Sequence, residues 1–197
     1  MEKTTLGRGK YIRKNKTWNV GIIGEGIYVS RINSIRTKEY VAWDAMLQRC
    51  YDDKLHKRHP SYKDCTVCEE WLNFQNFAKW FNDNNIDGCQ LDKDLLIKGN
   101  KIYSPETCCF IPQEVNLSLI KPTKKGKYPL GVHKHCNKFA VNIKENKISK
   151  YIGIFSTILE AENCYKQEKE KQLRCLAIKH KDRISNNTYN ALLNYKI

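Results

Sequence analysis

Gln90-Leu-Asp-Lys-Asp-Leu-Leu-Ile-Lys-Gly-Asn-Lys-Ile-Tyr-Ser-Pro-Glu-Thr-Cys-Cys-Phe-Ile-Pro-Gln-Glu-Val-Asn116 is the stretch on which the reading of this chain turns. A short apolar strand pattern ends at Asp92, a turn is expected at Gly99-Asn100, and Pro112 opens a predicted helix that carries Asn116. The pattern predicts a small strand, strand and helix unit in which two hard oxygen ligands, Asp92 and Asn116, meet across a strand and a helix. Such a pair suits one Mg²⁺ or Mn²⁺, because these ions take a few protein oxygens, keep several waters and accept phosphate oxygens as further ligands.

Working outward, Thr37–Tyr51 places Trp43, Leu47 and Cys50 at helical spacing, and Trp71, Phe74, Phe77, Ala78 and Phe81 form an apolar stripe on a second predicted helix. The stripe reads as core. Between them, Lys54, His56, Lys57, Arg58 and His59 make a basic stretch read as a solvated loop or as a phosphate contact. Residues 1–36 read as a basic arm or small hairpin around Gly24-Glu25-Gly26, with no readable function. Beyond Asn116, Lys121–Lys127 has the composition of a linker. It is followed by two strand patterns, the first over Phe139, Val141 and Ile143 and the second over Tyr151–Phe155. Thr157 and Glu160 have the spacing of a capping box for a helix running to about Ala177. The expected class is therefore α+β: a strand–strand–helix domain over 37–120, a linker over 121–127, and a three-stranded antiparallel sheet packed on one helix over 128–178. Residues 179–197 read as a polar tail with a short helix around Tyr189–Tyr195.

Thirty-five Lys and Arg against 21 Asp and Glu give a net charge of +14, which attracts polyanions before any specific contact forms. Double-stranded DNA is the first partner to expect. From Lys121 to Lys150 there are nine Lys and two His but one Glu, whereas the helix that follows carries Glu160, Glu162, Glu168 and Glu170, so the positive charge is concentrated on the predicted sheet. No stretch approaches the ~20 apolar residues of a spanning helix, and Met1–Lys16 has no apolar run, so a cytoplasmic protein without a membrane partner is expected. In that compartment the nine Cys should be reduced. Cys65 and Cys68 have zinc-knuckle spacing, with Cys50, Cys89, Cys108 or Cys109 as candidates to complete a four-thiolate Zn²⁺ site. The competing reading is buried thiols, since adjacent Cys108 and Cys109 in a strand point to opposite faces.

Gln90–Asn116 resembles the HNH endonucleases. Trp43-Asp-Ala-Met-Leu-Gln-Arg-Cys-Tyr51, Val67-Cys-Glu-Glu-Trp71 and Tyr103-Ser-Pro-Glu106 look like a branch common in bacteriophage and mobile-element genes, which would place the protein in a bacterial host cell. The resemblance covers about residues 37–120. It implies an Asp that binds the metal, a following His that serves as general base, a central Asn that orients the His, and a last Asn or His on the helix as second metal ligand. Asp92 and Asn116 match the metal-binding positions. Lys93 stands where the base His is expected and Thr107 where the central Asn is expected, so both departures fall on the base. Three readings follow: Lys93 offsets charge in the transition state, Lys93 is itself the base, or the site holds DNA without cutting it well. Asp94 and Tyr103 are substitute candidates for base or nucleophile, each with a structural alternative as a supporting or a core residue, and Asn100 is expected to make the turn.

Tyr128–Ala177 is similar to the APETALA and ethylene-response-factor type of DNA-binding domain, on Leu130-Gly131-Val132, Lys138–Lys144 and Tyr151–Phe155 with Thr157, Glu160 and Ala161. That resemblance implies a sheet laid in the major groove. The groove-facing positions would be His133, His135, Asn142, Lys144 and Tyr151, with Lys138, Lys147 and Lys150 adding phosphate contacts. No Arg lies between Arg58 and Arg174, which leaves Asn142, against an adenine edge, as the best base reader. Together the two resemblances imply a free-standing homing-type or nicking endonuclease. A DNA-binding protein that keeps the fold without the activity is the alternative, and monomer and homodimer both remain open.

Overall fold

The structure, a computed structural model, describes residues 16–119, 126–145 and 148–197. Residues 1–15 of the arm expected over 1–36, the linker residues 121–125 and Lys147 lie outside the described residues. In chain order the elements begin with a hairpin, β1 (Arg31–Ile32) and β2 (Ile35–Arg36), followed by α1 (Lys38–Tyr51), α2 (Asp53–Arg58), β3 (Thr66–Val67) and α3 (Phe74–Asn84). Then come β4 (Cys89–Asp92), β5 (Ile102–Tyr103), β6 (Cys109–Pro112) and α4 (Gln113–Leu119). The chain closes with β7 (Val132–His135), β8 (Lys138–Glu145), β9 (Ile148–Phe155), α5 (Ile158–Lys179) and α6 (Asn186–Leu193). Among the described residues the fold mixes α and β, with three two-stranded sheets and one three-stranded antiparallel sheet in the order β7-β8-β9.

Spacing accounts for the helices. Trp43, Met46, Leu47 and Cys50 recur on one side of α1, and Phe74, Phe77, Ala78 and Phe81 on one side of α3. The two faces meet in an aromatic first core, in which the Trp43 indole N–H donates to the Trp71 carbonyl at 2.7 Å. Trp71 itself sits in a short 3-10 turn, Glu69–Leu72, just before α3. α3 starts where the Asn73 side chain accepts the Gln75 N–H.

β4 and β6 pair antiparallel, with Gln90 opposite Ile111, Leu91 opposite Phe110 and Asp92 opposite Cys109. Because strand side chains alternate, this ribbon divides two cores. Cys89, Leu91 and Phe110 face the aromatic core, whereas Cys109 and Ile111 face a second core completed by Leu95, Val115, Leu173, Leu176, Ala177, Ile184 and Leu192. Cys108 and Cys109 accordingly belong to different cores.

The expected capping box opens α5: the Thr157 hydroxyl accepts the Glu160 N–H, and the Glu160 carboxylate accepts the Thr157 N–H. The helix has two jobs. Its first half, through Ala161 and Tyr165, carries the β7-β8-β9 sheet on a small third core with Val132, Val141 and Ile143. Gly131, at φ +77, lets the sheet edge sit on Tyr165, because a side chain there would collide with the ring. The second half of α5 packs on the β4–β6–α4 unit. The segment 179–197 does contain a short helix, but it is not a loose polar tail: Leu192 is completely buried in the second core. A polar stretch hides this because only its few apolar residues face inward. The linker at 121–127 thus separates the sheet from α4 in sequence, while α5 and α6 belong to the same packed core as α4.

Candidate functional site

The site forms where β4 ends. Gln90 and Asp92 stand two apart on the strand and share the face turned to the second core, and Asn116 of α4 reaches the same face, its side-chain N–H donating to Gln90 Oε1. Asp92 and Asn116, paired from sequence as ligands, therefore lie on facing elements, with Gln90 of the strand hydrogen-bonded to Asn116. Gln90 was not singled out in the sequence, although its position two residues before Asp92 is a signal for it. Asp92 Oδ1 accepts the Asp94 N–H at 2.9 Å and the Leu95 N–H at 2.7 Å, which bends the chain out of the strand. No hydrogen bond among the described residues uses Asp92 Oδ2 or Asn116 Oδ1. Burial pushes the Asp92 carboxyl above its ordinary range despite the two N–H donors that oppose the shift.

Lys93 points the other way. Its side chain is 6% exposed, and its ammonium donates to Asp94 Oδ1 and, at 2.9 Å, to the Asn100 carbonyl, 5.8 Å from the centre of the Tyr103 ring. Asp94 is thus the counter-ion of Lys93. Tyr103 is a core residue, 3% exposed, whose phenol is pushed up by burial, which removes it as an easily ionised nucleophile. Asn100 holds the loop: its amide donates to the Lys93 carbonyl at 2.8 Å and to the Ile102 carbonyl, and its Oδ1 accepts the Ile102 N–H at 3.1 Å. Thr107, assigned the central-Asn position from sequence, instead closes its own turn, donating to Ile102 O at 2.7 Å and accepting from the Ser104 N–H at 3.2 Å. Of the two, Asn100 and not Thr107 hydrogen-bonds Lys93.

Two further contacts set the walls. Glu114 of α4 accepts from Lys179 Nζ at 2.7 Å and His180 Nε2 at 3.1 Å, tying α4 to the end of α5 and holding the Glu114 carboxyl below the usual range. On the other side, Lys98 donates to the Lys196 carbonyl at 2.9 Å and lies over the Tyr195 ring. Tyr195 is close enough to Asp92 and Asp94 that both carboxylates, after burial, push its phenol up.

The candidate thiolates are core thiols in this arrangement. Cys65 is buried and Cys68 half-buried around β3, and burial pushes Cys50, Cys108 and Cys109 up to about 12. Among the described residues no group of three or more His, Cys, Asp and Glu side chains is placed to hold a metal ion.

On the sheet, the register puts His133, His135, Lys138, Asn142, Lys144 and Tyr151 on the face turned away from α5, as the alternation predicts. All but Asn142 are exposed. Two of the candidates are engaged within the sheet. A register shift between Val141 and Asn142 puts Lys150 opposite Ile143, on the helix side, where it lies 4.0 Å from Glu145 and lines a cleft with Ile152 and Glu168. Asn142 stays on the open face opposite Tyr151, where its amide donates to Ser149 Oγ at 3.0 Å and its Oδ1 is buried without a hydrogen-bond partner among the described residues.

Comparison with family models, curated proteins and solved structures finds no match to this chain. No helix among the described residues is long and apolar enough to cross a membrane.

Proposed function

We propose that the chain is a metal-dependent DNA endonuclease of HNH type, with the β4–β6–α4 unit as its centre and the open face of the β7-β8-β9 sheet as an APETALA-like holder for double-stranded DNA. The observation that carries this reading is the placement of Gln90, Asp92 and Asn116 on one strand face and the helix above it, with Asp92 Oδ2 and Asn116 Oδ1 left without hydrogen bonds among the described residues. The donor set fits a hard divalent cation. Asp92 is a desolvated carboxylate whose raised pKa a cation would reverse, Asn116 offers an amide oxygen, and neither is a soft ligand. When bound, Mg²⁺ or Mn²⁺ would polarise a phosphodiester and stabilise the leaving oxygen. The chain's own residues do the rest. Asp92 and Asn116 hold the ion. Lys93, Asp94 and Asn100 fix the loop that presents Asp92, and Lys138, Lys144, His133, His135 and Tyr151 grip the phosphate backbone. With no side chain at position 93 free to take a proton, the attacking water passes its proton to solvent or to the DNA's own phosphate. One such centre cuts one strand.

A second reading is favoured by one observation. Lys93 and Asp94 close as a pair on the position that the resemblance gives to the base, which suits a DNA-binding protein that retains the fold without cutting. Purified protein incubated with supercoiled plasmid and Mg²⁺ or Mn²⁺ at low salt separates the two. The endonuclease relaxes the plasmid only with metal, and Asp92→Ala and Asn116→Ala lose that activity while keeping DNA affinity. Relaxation that is absent, or equal in the variants, leaves the binding-protein reading.

A further inference from the structure

The β1–β2 hairpin is built the wrong way round for a structural element. Asn33 and Ser34, both at positive φ, make a two-residue turn of the I′ kind, and Arg31 pairs with Arg36 and Ile32 with Ile35. Directly opposed residues share a face, so one face of the ribbon carries two Arg and the other two Ile. The Arg face is the one held to the body: Arg36 binds Asp44 of α1 at 3.0 Å and lies over the Tyr40 ring, while Arg31 braces the turn by donating to the Ser34 carbonyl at 2.9 Å. The Thr37 N–H and hydroxyl donate to the Ser30 and Val29 carbonyls, clamping the hairpin base to the start of α1. The Ile face is turned to solvent, with Ile32 60% and Ile35 74% exposed. A clamped pair of exposed aliphatic side chains beside a hairpin turn, on a chain of net charge +14, suits a duplex, where the chain's cations meet phosphates and an apolar tip enters the base stack.

We infer that the Arg31–Arg36 hairpin is a DNA wedge, which enters the minor groove and inserts Ile32 and Ile35 at a base step, bending the duplex toward the proposed cutting centre. The inference rests on the DNA reading above and extends it to a second, non-cutting contact. The energy to unstack one step comes from the apolar tip leaving water and from the wider surface that a bent duplex can touch.

The test uses the full chain and a duplex of about 30 base pairs carrying end dyes for energy transfer and 2-aminopurine at a pyrimidine–purine step, at about 50 mM salt. The native chain is expected to shorten the end-to-end distance and brighten 2-aminopurine. Ile32→Ser with Ile35→Ser, substitutions at solvent-exposed sites, should abolish both signals and weaken binding roughly fivefold to tenfold. Binding without bending or unstacking by the native chain, or equal signals from the double variant, overturns the wedge while leaving the DNA reading intact. No binding by the native chain overturns both. Sedimentation showing a dimer that the double variant dissociates would assign the Ile face to a second copy of the chain and overturn the inference.

Discussion

The two faces of the β4–β6 ribbon are built from different parts of the chain. The face carrying Leu91 and Phe110 is covered by α1 and α3, whose aromatic side chains interlock: Trp80 stacks on Phe110 at 5.4 Å and Phe81 meets its edge at the same distance. Every residue of that core lies at or before Phe110. The face carrying Gln90, Asp92 and Ile111 is covered by α4 and then by residues from Leu173 onward. Neighbours in sequence therefore live in separate environments. Lys93 is held beside the aromatic core by Asp94, Asn100 and Tyr103, while Asp92 looks toward a core that exists only when the far end of the chain has docked. The proposed ion-holding face is thus the one with the larger loop-closure cost, and its integrity depends on residues some eighty to one hundred positions away.

Leu192→Ala gives the largest expected effect on this comparison. Truncating a completely buried Leu costs about 2–5 kcal/mol, and here the cavity opens beneath Ile111 and Val115, on the side of Asp92 and α4. Met46→Ala, in the aromatic core, serves as the matched control, with a comparable loss of stability. Thermal unfolding with and without Mn²⁺ distinguishes them. The metal-induced rise in midpoint should shrink in Leu192→Ala and persist in Met46→Ala. Equal responses would mean that the two faces are not independent and would break the comparison.

Legibility from sequence divides along the same line. The aromatic core was readable because Trp43, Leu47 and Cys50, and then Phe74, Phe77, Ala78 and Phe81, follow a 3.6-residue period within continuous helices. The sheet and capping box were readable from strand alternation and the Thr157–Glu160 spacing. The second core was not, because Leu173, Ile184 and Leu192 come from two helices and a turn whose own sequences are mostly polar, so only the docked fold reveals a common face. The site was half legible. The placing of Asp92 at the end of a strand and of Asn116 on the helix after it followed from the local pattern. The roles of Gln90, Asn100 and Tyr195 did not, since each is defined by a partner across a turn or at the far end of the chain. The placement of Lys150 on the helix side was hidden for a related reason: one bulge shifts the register of β9 against β8, and nothing in the local pattern announces it.

A smaller effect is expected from Lys93→Met, which keeps the aliphatic stem and removes the ammonium. Exchanging a buried charge for an apolar group of similar shape is often close to neutral, so stability should change by less than about 1.5 kcal/mol. Asp94→Ala should cost more than Lys93→Met, because it leaves the buried ammonium with the Asn100 carbonyl as its one remaining hydrogen-bond partner among those described. For cleavage, a Lys93 that only fixes the loop predicts a loss of roughly tenfold or less in turnover for Lys93→Met, with Mn²⁺ affinity intact. A loss of about 10²–10³ would place its charge directly on the transition state and would mean that the side chain swings out from beneath Tyr103.

The smallest effect tests the strap that closes the Asp92 side. Glu170 of α5 accepts from Lys196 Nζ at 2.8 Å and from the Ile197 N–H at 3.3 Å, and together with Lys98 on the Lys196 carbonyl it draws Tyr195–Ile197 across the site. The Lys196 ammonium and the Ile197 N–H hold the Glu170 carboxyl below its usual range. A carboxyl whose pKa is lowered by folding adds stability that is present above its unfolded value, ~4.3, and is lost as pH falls through the lower folded value. Glu170→Gln should therefore flatten the acid limb of the stability profile below about pH 4.5 and cost only a few tenths to about 1 kcal/mol near neutrality, as expected of pairs near the surface. Amide exchange supplies the structural readout. The Ile197 N–H should exchange faster in Glu170→Gln, while amides of the β4–β6 ribbon stay protected. If ribbon amides lose protection as well, Tyr195–Ile197 is part of what holds Asp92 in place and not merely a cover over it.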